Sequence, residues 1–147
     1  MKSCVSLRFP LSTRLVDLRG ICLGSRYLHT KMATPERRSD LAANYDSIIK
    51  QVNETASGKQ VKLVAVSKYK PVEDLKALYD HGVRDFGENY VQELLTKAET
   101  LPKDIRWHFI GGLQSGKCKD LSNNIPNLYA VHSIDSFKKV KKMNSTR

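Results

Sequence analysis

The chain has 147 residues, of which 40% are hydrophobic and 27% are charged, and its formal net charge at pH 7 is +10. This size and composition suit one globular domain, and no apolar run is long enough to span a membrane. Three cysteines and four histidines are scattered along the chain without zinc-ligand spacing, so the sequence predicts neither a disulfide scaffold nor a metal site. The positive charge is concentrated near the two ends, and no basic–aromatic motif typical of nucleic-acid binding occurs.

The N-terminal segment differs in composition from the rest. Residues 1–31 are rich in Arg, Ser and Leu, and Asp17 is their single acidic residue. A basic segment that is almost free of acids and lacks a compact apolar core is typical of a mitochondrial presequence, and a disordered extension fits equally well. Met32 is then a second candidate start. We therefore predict an extension over 1–31 and a domain over 36–147, in a cytoplasmic or mitochondrial protein.

Alternating apolar patterns predict a helix followed by four β–α units. Helical spacing of apolar side chains predicts a first helix over 40–54, and the apolar run 61–67 predicts a buried strand. Further strands are predicted over 83–87, 106–110 and 128–131, each followed by helical periodicity. Such alternation favours an α/β fold with a parallel sheet, whose functional groups gather at the carboxyl ends of the strands.

Local signals also predict the ends of the helices. Pro71 begins the helix after the first strand, and Gly82 ends it. Asn89 and Asp135 are the predicted N-caps of the next helix and of the last one, because their side chains can accept hydrogen bonds from unpaired amides.

Lys68 stands where the first predicted strand ends, within the sequence Ser67-Lys68-Tyr69-Lys70-Pro71. An amine at this position can be partly desolvated, which favours the neutral, nucleophilic form. Such an amine can form a Schiff base with an aldehyde such as pyridoxal phosphate. The local pattern alone is more typical of an ordinary lysine that leaves a strand and enters solvent.

Two features of the third predicted strand have alternative interpretations. His108 alternates with Trp107 and Phe109, so it faces the opposite side of the sheet, either as a pocket residue or as a core histidine with satisfied hydrogen bonds. The following loop, 111–117, fits most of a Walker A pattern, but Cys118 stands where that motif needs a hydroxyl. A simple tight connection is the favoured interpretation of this loop.

Three segments together carry a family resemblance. They are LVAVSKYKP over 63–71, DFGENYVQE over 85–93 and WHFIGGLQ over 107–114. Their order and spacing resemble the pyridoxal phosphate homeostasis protein family of the YggS/PROSC type, over about residues 40–147. The resemblance implies a (β/α)8 TIM barrel of the alanine racemase N-terminal type.

The resemblance also implies the site residues and the function. It implies pyridoxal phosphate held as a Schiff base on Lys68, with Asn89 and His108 lining the pocket, Lys70 as a nearby charge, and no catalytic residue or metal. The implied role is to bind, buffer or deliver the cofactor in vitamin B6 homeostasis without established catalysis. We expect a monomer with PLP-accepting apoenzymes as candidate partners, and without nucleic-acid or membrane partners.

The chain is shorter than a complete TIM barrel, and this leaves other interpretations open. A TIM barrel typically has about 250 residues and often binds phosphate after strands 7 and 8. We therefore expect the chain to be truncated to about four β–α units, with the covalent anchor but without the family's phosphate-binding residues. A fragment that does not bind the cofactor is one alternative. A PLP-dependent amino-acid racemase is the other, and it would need a second acid–base group.

Overall fold

The computed structural model describes the backbone of residues 5–8 and the whole of residues 32–145. The first part of the chain contributes one strand, and an alternation of helices and strands follows. In chain order the elements are β1 (Val5–Arg8), α1 (Pro35–Thr55), β2 (Ala65–Val66), α2 (Val72–Asp80), β3 (Asp85–Glu88), α3 (Val91–Thr100), β4 (Arg106–Phe109), a 3-10 turn (Ser115–Lys117), α4 (Cys118–Asn124), β5 (Leu128–Ile134) and α5 (Phe137–Asn144).

The strands form one sheet in the order β1-β5-β4-β3-β2. The four strands from β2 to β5 are parallel, and β1 pairs antiparallel with β5. The predicted α/β fold with a parallel sheet is therefore confirmed. The predicted extension lies outside the described residues except for β1.

Helices α2 to α5 pack their apolar side chains against one face of the sheet. Phe86, Trp107 and Phe109 are fully buried in this layer, together with side chains from each helix. Asp85 and His108 alternate with these residues along β3 and β4, so they lie on the opposite face. Register pairs Asp85 with Arg106 and Gly87 with His108. The alternation predicted from the sequence thus divides the sheet into an apolar face and a polar face.

The first predicted strand is shorter and more exposed than expected. Only Ala65–Val66 forms β2, and the side chain of Val66 is 53% exposed. Within the described part of the chain, β2 pairs with β3 alone. An apolar run predicts a strand but does not predict how many neighbours it has, so the prediction of a buried strand over 61–67 is wrong for this structure.

Helix ends are less well predicted than helix positions. Helix α1 begins at Pro35, because Thr34 caps it by accepting a hydrogen bond from the Arg37 amide over 3.3 Å. Tyr90 and Ser136 occupy the N-cap positions of α3 and α5, with no side-chain cap hydrogen bond. The predictions that Asn89 and Asp135 cap these helices are therefore wrong. The boundaries of α2, from Val72 to Asp80 after Pro71, agree with the prediction.

Within the described residues, none of the helices combines the length and the apolar character that crossing a membrane requires.

Candidate functional site

Lys68 lies in a tight turn at the carboxyl end of β2. The turn is closed by a hydrogen bond of 3.0 Å from the Lys70 amide to the Ser67 carbonyl oxygen. The side chains of Lys68 and Lys70 are both exposed, so the desolvation expected for the Lys68 amine is not found. Neither amine has a hydrogen bond or an ion pair within the described part of the chain. Among the described residues, the Lys68 amine is therefore accessible and unpaired.

Tyr69 has an unusual backbone conformation next to this lysine. Its φ angle is +61°, in the left-handed region that disfavours residues with a side chain. Its amide donates a hydrogen bond of 2.7 Å to Oε1 of Glu93, and its hydroxyl contacts the hydroxyl of Tyr90. The surrounding structure therefore holds the turn in a conformation that it would not favour alone.

A buried ionic cluster lies directly below the turn, and we call Ser67, Glu88, Glu93 and Lys97 the Lys97 cluster. The Lys97 ammonium donates hydrogen bonds of 2.7 Å to the Ser67 carbonyl oxygen, 2.7 Å to Oε1 of Glu88 and 2.6 Å to Oε1 of Glu93. The Ser67 hydroxyl donates to the same Glu88 oxygen over 2.6 Å. Glu88 is 0% exposed and Lys97 is 4% exposed. The cluster thus joins β2, β3 and α3 beneath Lys68.

The sequence analysis did not identify Lys97. One signal was present, since Glu93 and Lys97 are four residues apart in a helix and Lys97 lies beside Ala98 on its buried face. The contacts with Ser67 and Glu88 depend on the packing of α3 against the sheet, so spacing along one helix could not reveal them.

Asn89 follows β3 at the same edge of the sheet as Lys68. Its side chain is partly buried, and Oδ1 has no hydrogen-bond partner among the described residues. Gly111, at the end of β4, lies so close that an added Cβ would collide with the Asn89 carbonyl oxygen. The Ser133 hydroxyl in turn donates to the Gly111 carbonyl oxygen. The carboxyl ends of β3, β4 and β5 are thereby held close together.

His108 is buried on the polar face, where both ring nitrogens have partners. Nε2 lies 3.0 Å from Oδ1 of Asp85, and Nδ1 lies 3.0 Å from Nε2 of His132. Asp85 also accepts two hydrogen bonds from Arg106, of 2.9 and 2.6 Å, and pairs with Lys62 over 3.4 Å. We call Asp85, Arg106, His108 and Lys62 the Asp85 cluster. No hydrogen bond joins it to the Lys68 turn within residues 32–145.

The Asp85 cluster shifts the pKa of two of its members. Burial alone would raise the pKa of Asp85, but the hydrogen bonds from Arg106 and His108 and the charges of Arg106 and Lys62 outweigh it and lower the pKa to about 2. Burial lowers the pKa of His108, and the hydrogen bond to Asp85 offsets this effect only in part. His108 is therefore neutral and Asp85 is ionised near pH 7.

An apolar groove at the C-terminal end of α1 contains none of these residues. It is lined by Gln51, Val52, Thr55, Ala56 and Val61. No group of three or more His, Cys, Asp or Glu side chains in the described residues could hold a metal ion.

The sequence is similar to proteins named for pyridoxal phosphate homeostasis. It is 51% identical over 102 residues to the pyridoxal phosphate homeostasis protein of Schizosaccharomyces pombe, covering 69% of this chain and 43% of that protein. It is 48% identical over 92 residues to the Homo sapiens protein of the same name, covering 59% and 33%. The chain thus spans less than half the length of these relatives. No protein-family model matches the chain.

The chain is also similar to proteins of known structure. PipY of Synechococcus elongatus PCC7942 with PLP bound superimposes with a TM-score of 0.59 at 32% identity, covering 72% of this chain and 47% of PipY. A protein of unknown function from Bifidobacterium adolescentis has a TM-score of 0.67 at 23% identity, covering 82% and 54%, and shows the fold alone. The resemblance inferred from the three sequence segments is confirmed.

Proposed function

We propose that this chain, which resembles the pyridoxal phosphate homeostasis proteins in sequence and structure, binds pyridoxal phosphate through Lys68. The observation that carries the proposal is the exposed amine of Lys68, free of partners among the described residues, on a turn fixed by a buried cluster. Pyridoxal phosphate supplies an aldehyde that condenses with a neutral amine to form a Schiff base. The structure of PipY with PLP bound supports this assignment.

Three groups of this chain fit such a ligand. Lys68 provides the amine, and exposed Lys70 provides a positive charge two residues away that favours an anionic phosphate ester. Asn89 provides Oδ1, a buried acceptor with no partner among the described residues, which can accept a hydrogen bond from a hydroxyl or ring group. We propose that Lys68, Lys70 and Asn89 form the cofactor site. His108, held in place by Asp85, would line the pocket.

We propose that the complete domain is a (β/α)8 barrel, to which this chain contributes about four β–α units. The parallel sheet from β2 to β5 supports this, and so does the coverage of less than half of PipY. The division between an extension over 1–31 and a domain over 36–147, in the cytoplasm or mitochondria, belongs to the same proposal. In this arrangement the four described strand ends form part of one barrel rim, and Lys68 lies on that rim.

We propose a binding or delivery role without catalysis, carried out by a monomer that supplies PLP-accepting apoenzymes. A racemase would need a second acid–base group facing the ligand. No residue in the described part of the chain is a compelling second base, and Asp85 and His132 occupy both ring nitrogens of His108. The names of the relatives, which refer to homeostasis, agree with a role other than turnover.

Borohydride trapping tests the assignment. Protein incubated with pyridoxal phosphate is reduced with borohydride, and the modified lysine is identified by peptide mass spectrometry. We expect one reduced pyridoxyl group on Lys68, its loss in Lys68→Ala and its retention in Lys70→Ala. An adduct that persists in Lys68→Ala would contradict the proposal. A wild-type chain that binds no cofactor would also contradict it and would favour the non-binding fragment.

A further inference from the structure

We propose that Lys97 is a positioning residue, which fixes the amine of Lys68 by holding the main chain on both sides of it. The proposal rests on the proposed function for its biological meaning, since it concerns the same lysine. Its structural content is independent, because it concerns the conformation of the chain without ligand.

The first connection is to the residue before Lys68. The Lys97 ammonium donates a hydrogen bond of 2.7 Å to the Ser67 carbonyl oxygen. The Ser67 amide and hydroxyl are bonded in turn to the Gly87 carbonyl oxygen, at 2.9 and 3.3 Å. The peptide unit that enters Lys68 is therefore fixed to β3 and α3 together, and Ser67 is 4% exposed.

The second connection is to the residue after Lys68. Oε1 of Glu93 accepts a hydrogen bond from the Tyr69 amide over 2.7 Å and from Lys97 over 2.6 Å. A single carboxylate oxygen thus ties Tyr69, in its disfavoured left-handed conformation, to the same ammonium that holds Ser67. If this connection were lost, Tyr69 would be free to leave φ near +61°, and the direction of the Lys68 side chain would change with it.

Lys97 also controls the charges near Lys68. Lys97 is the cation that pairs with both carboxylates of the cluster, buried Glu88 and partly exposed Glu93, over 2.7 and 2.6 Å. Lys68 has no partner among the described residues, and the carboxylates of the Lys97 cluster are bonded to Lys97 instead. An amine paired with a carboxylate is protonated and does not attack an aldehyde. Lys97 therefore also keeps the amine of Lys68 free of a competing ion pair.

Two substitutions of Glu93 give a sharp test, because its side chain is partly exposed and the fold should tolerate both. Glu93→Gln retains a side-chain oxygen that can accept from Tyr69, whereas Glu93→Leu removes it. We expect Schiff-base formation with pyridoxal phosphate to be nearly unchanged in Glu93→Gln and slowed about tenfold in Glu93→Leu, as expected for a small misplacement of a reacting group. A second test uses the double variant Lys97→Met/Glu88→Gln, which removes the buried ion pair. Its control is Lys76→Met, because Lys76 forms an ordinary ion pair with Asp80 within one helix.

The ligand-free protein provides a readout separate from cofactor binding. We expect faster hydrogen exchange at the Tyr69 amide in Glu93→Leu and in the Lys97→Met/Glu88→Gln variant. We also expect altered reductive methylation of Lys68 there, with Lys76→Met unchanged in both measurements. Wild-type rates of exchange and methylation in both variants would overturn the inference. If wild-type protein forms no Schiff base while these rates still change, the proposed function fails and the positioning role stands.

Discussion

The Lys97 cluster and the Asp85 cluster both contact β3, but they are built in opposite ways. The Lys97 cluster lies on the helix-packed face and has one cation between two carboxylates, with Lys97 and Glu88 almost fully buried. The Asp85 cluster lies on the polar face and has one carboxylate among three basic side chains. Its two permanent cations, Lys62 and Arg106, are each 43% exposed. Loss of the central group therefore has different consequences in the two clusters.

The difference is explained by access to water. If Lys97 is removed, Glu88 remains buried with no counter-charge, and its Oε2 already lacks a hydrogen-bond partner among the described residues. If Asp85 is removed, Arg106 and Lys62 can be hydrated where they are. A buried ion pair is costly to break mainly because of the charge that is left behind. Burial, more than the number of ion pairs, thus decides how strongly each cluster depends on its central residue.

The largest expected effect follows from Lys97→Met. We expect a loss of about 3–5 kcal/mol in the free energy of unfolding, because Glu88 would be left buried without its counter-charge. Urea unfolding followed by circular dichroism measures this loss. Addition of Glu88→Gln should recover a large part of it. A Lys97→Met protein as stable as wild type would show that the cluster does not stabilise the fold.

A smaller effect is expected for Asp85→Asn. We expect a loss of about 2 kcal/mol at pH 7, since hydrogen bonds to charged groups from Arg106 and His108 are weakened while the cations remain hydrated. In wild type, the lowered pKa of Asp85 stabilises the fold above the unfolded value of 3.8, and this contribution disappears as the pH falls towards about 2. Asp85→Asn should lack this acid-dependent loss in urea titrations. An equal loss in both proteins would contradict the assignment.

His108 should add a further pH dependence at milder acidity. Because burial lowers the pKa of His108 below 6.5, the unfolded chain binds its proton more readily than the folded chain. Stability should therefore decrease as the pH falls below 6.5, until folded His108 is also protonated. His108→Gln should show a flatter urea midpoint between pH 6.5 and pH 5. His81→Gln is the control, because His81 lies on the surface against Asp46, and a similar flattening there would weaken the assignment to His108.

The smallest expected effect concerns the exposed end of the Lys68 turn. Tyr69→Phe removes the hydroxyl that contacts Tyr90 but keeps the aromatic ring pair, whose centroids are 5.2 Å apart. We expect a change of less than about 0.5 kcal/mol in the free energy of unfolding, as is usual for surface substitutions. The rate of Schiff-base formation should stay near the wild-type rate, because Glu93 holds the backbone of Tyr69. A large slowing would show that the contact between the Tyr69 and Tyr90 hydroxyls, and not the Lys97 cluster alone, positions Lys68.

Periodicity predicted the order and type of the elements from α1 to α5, because apolar side chains recur at the period of each helix and strand, although α1 itself buries no residue. It did not predict that β2 would have only two residues, since strand length depends on its neighbours in the sheet. The position of Lys68 at a strand end could be predicted from local pattern, and the family resemblance added its proposed role. The partners of Lys97 and His108 could not be predicted, because those hydrogen bonds join segments that are distant in sequence.

Gly111 shows how a residue without a side chain can constrain the site. Its φ angle is not among the positive ones of the described glycines, so an alanine there would meet no backbone restriction, only the carbonyl group of Asn89. Any larger residue must push the end of β4 away from the end of β3. Glu88 precedes Asn89 and bonds to Ser67, which precedes Lys68. A single methyl group added at Gly111 would therefore displace Asn89. Through Glu88 and Ser67, that displacement would shift Lys68 in the turn after β2.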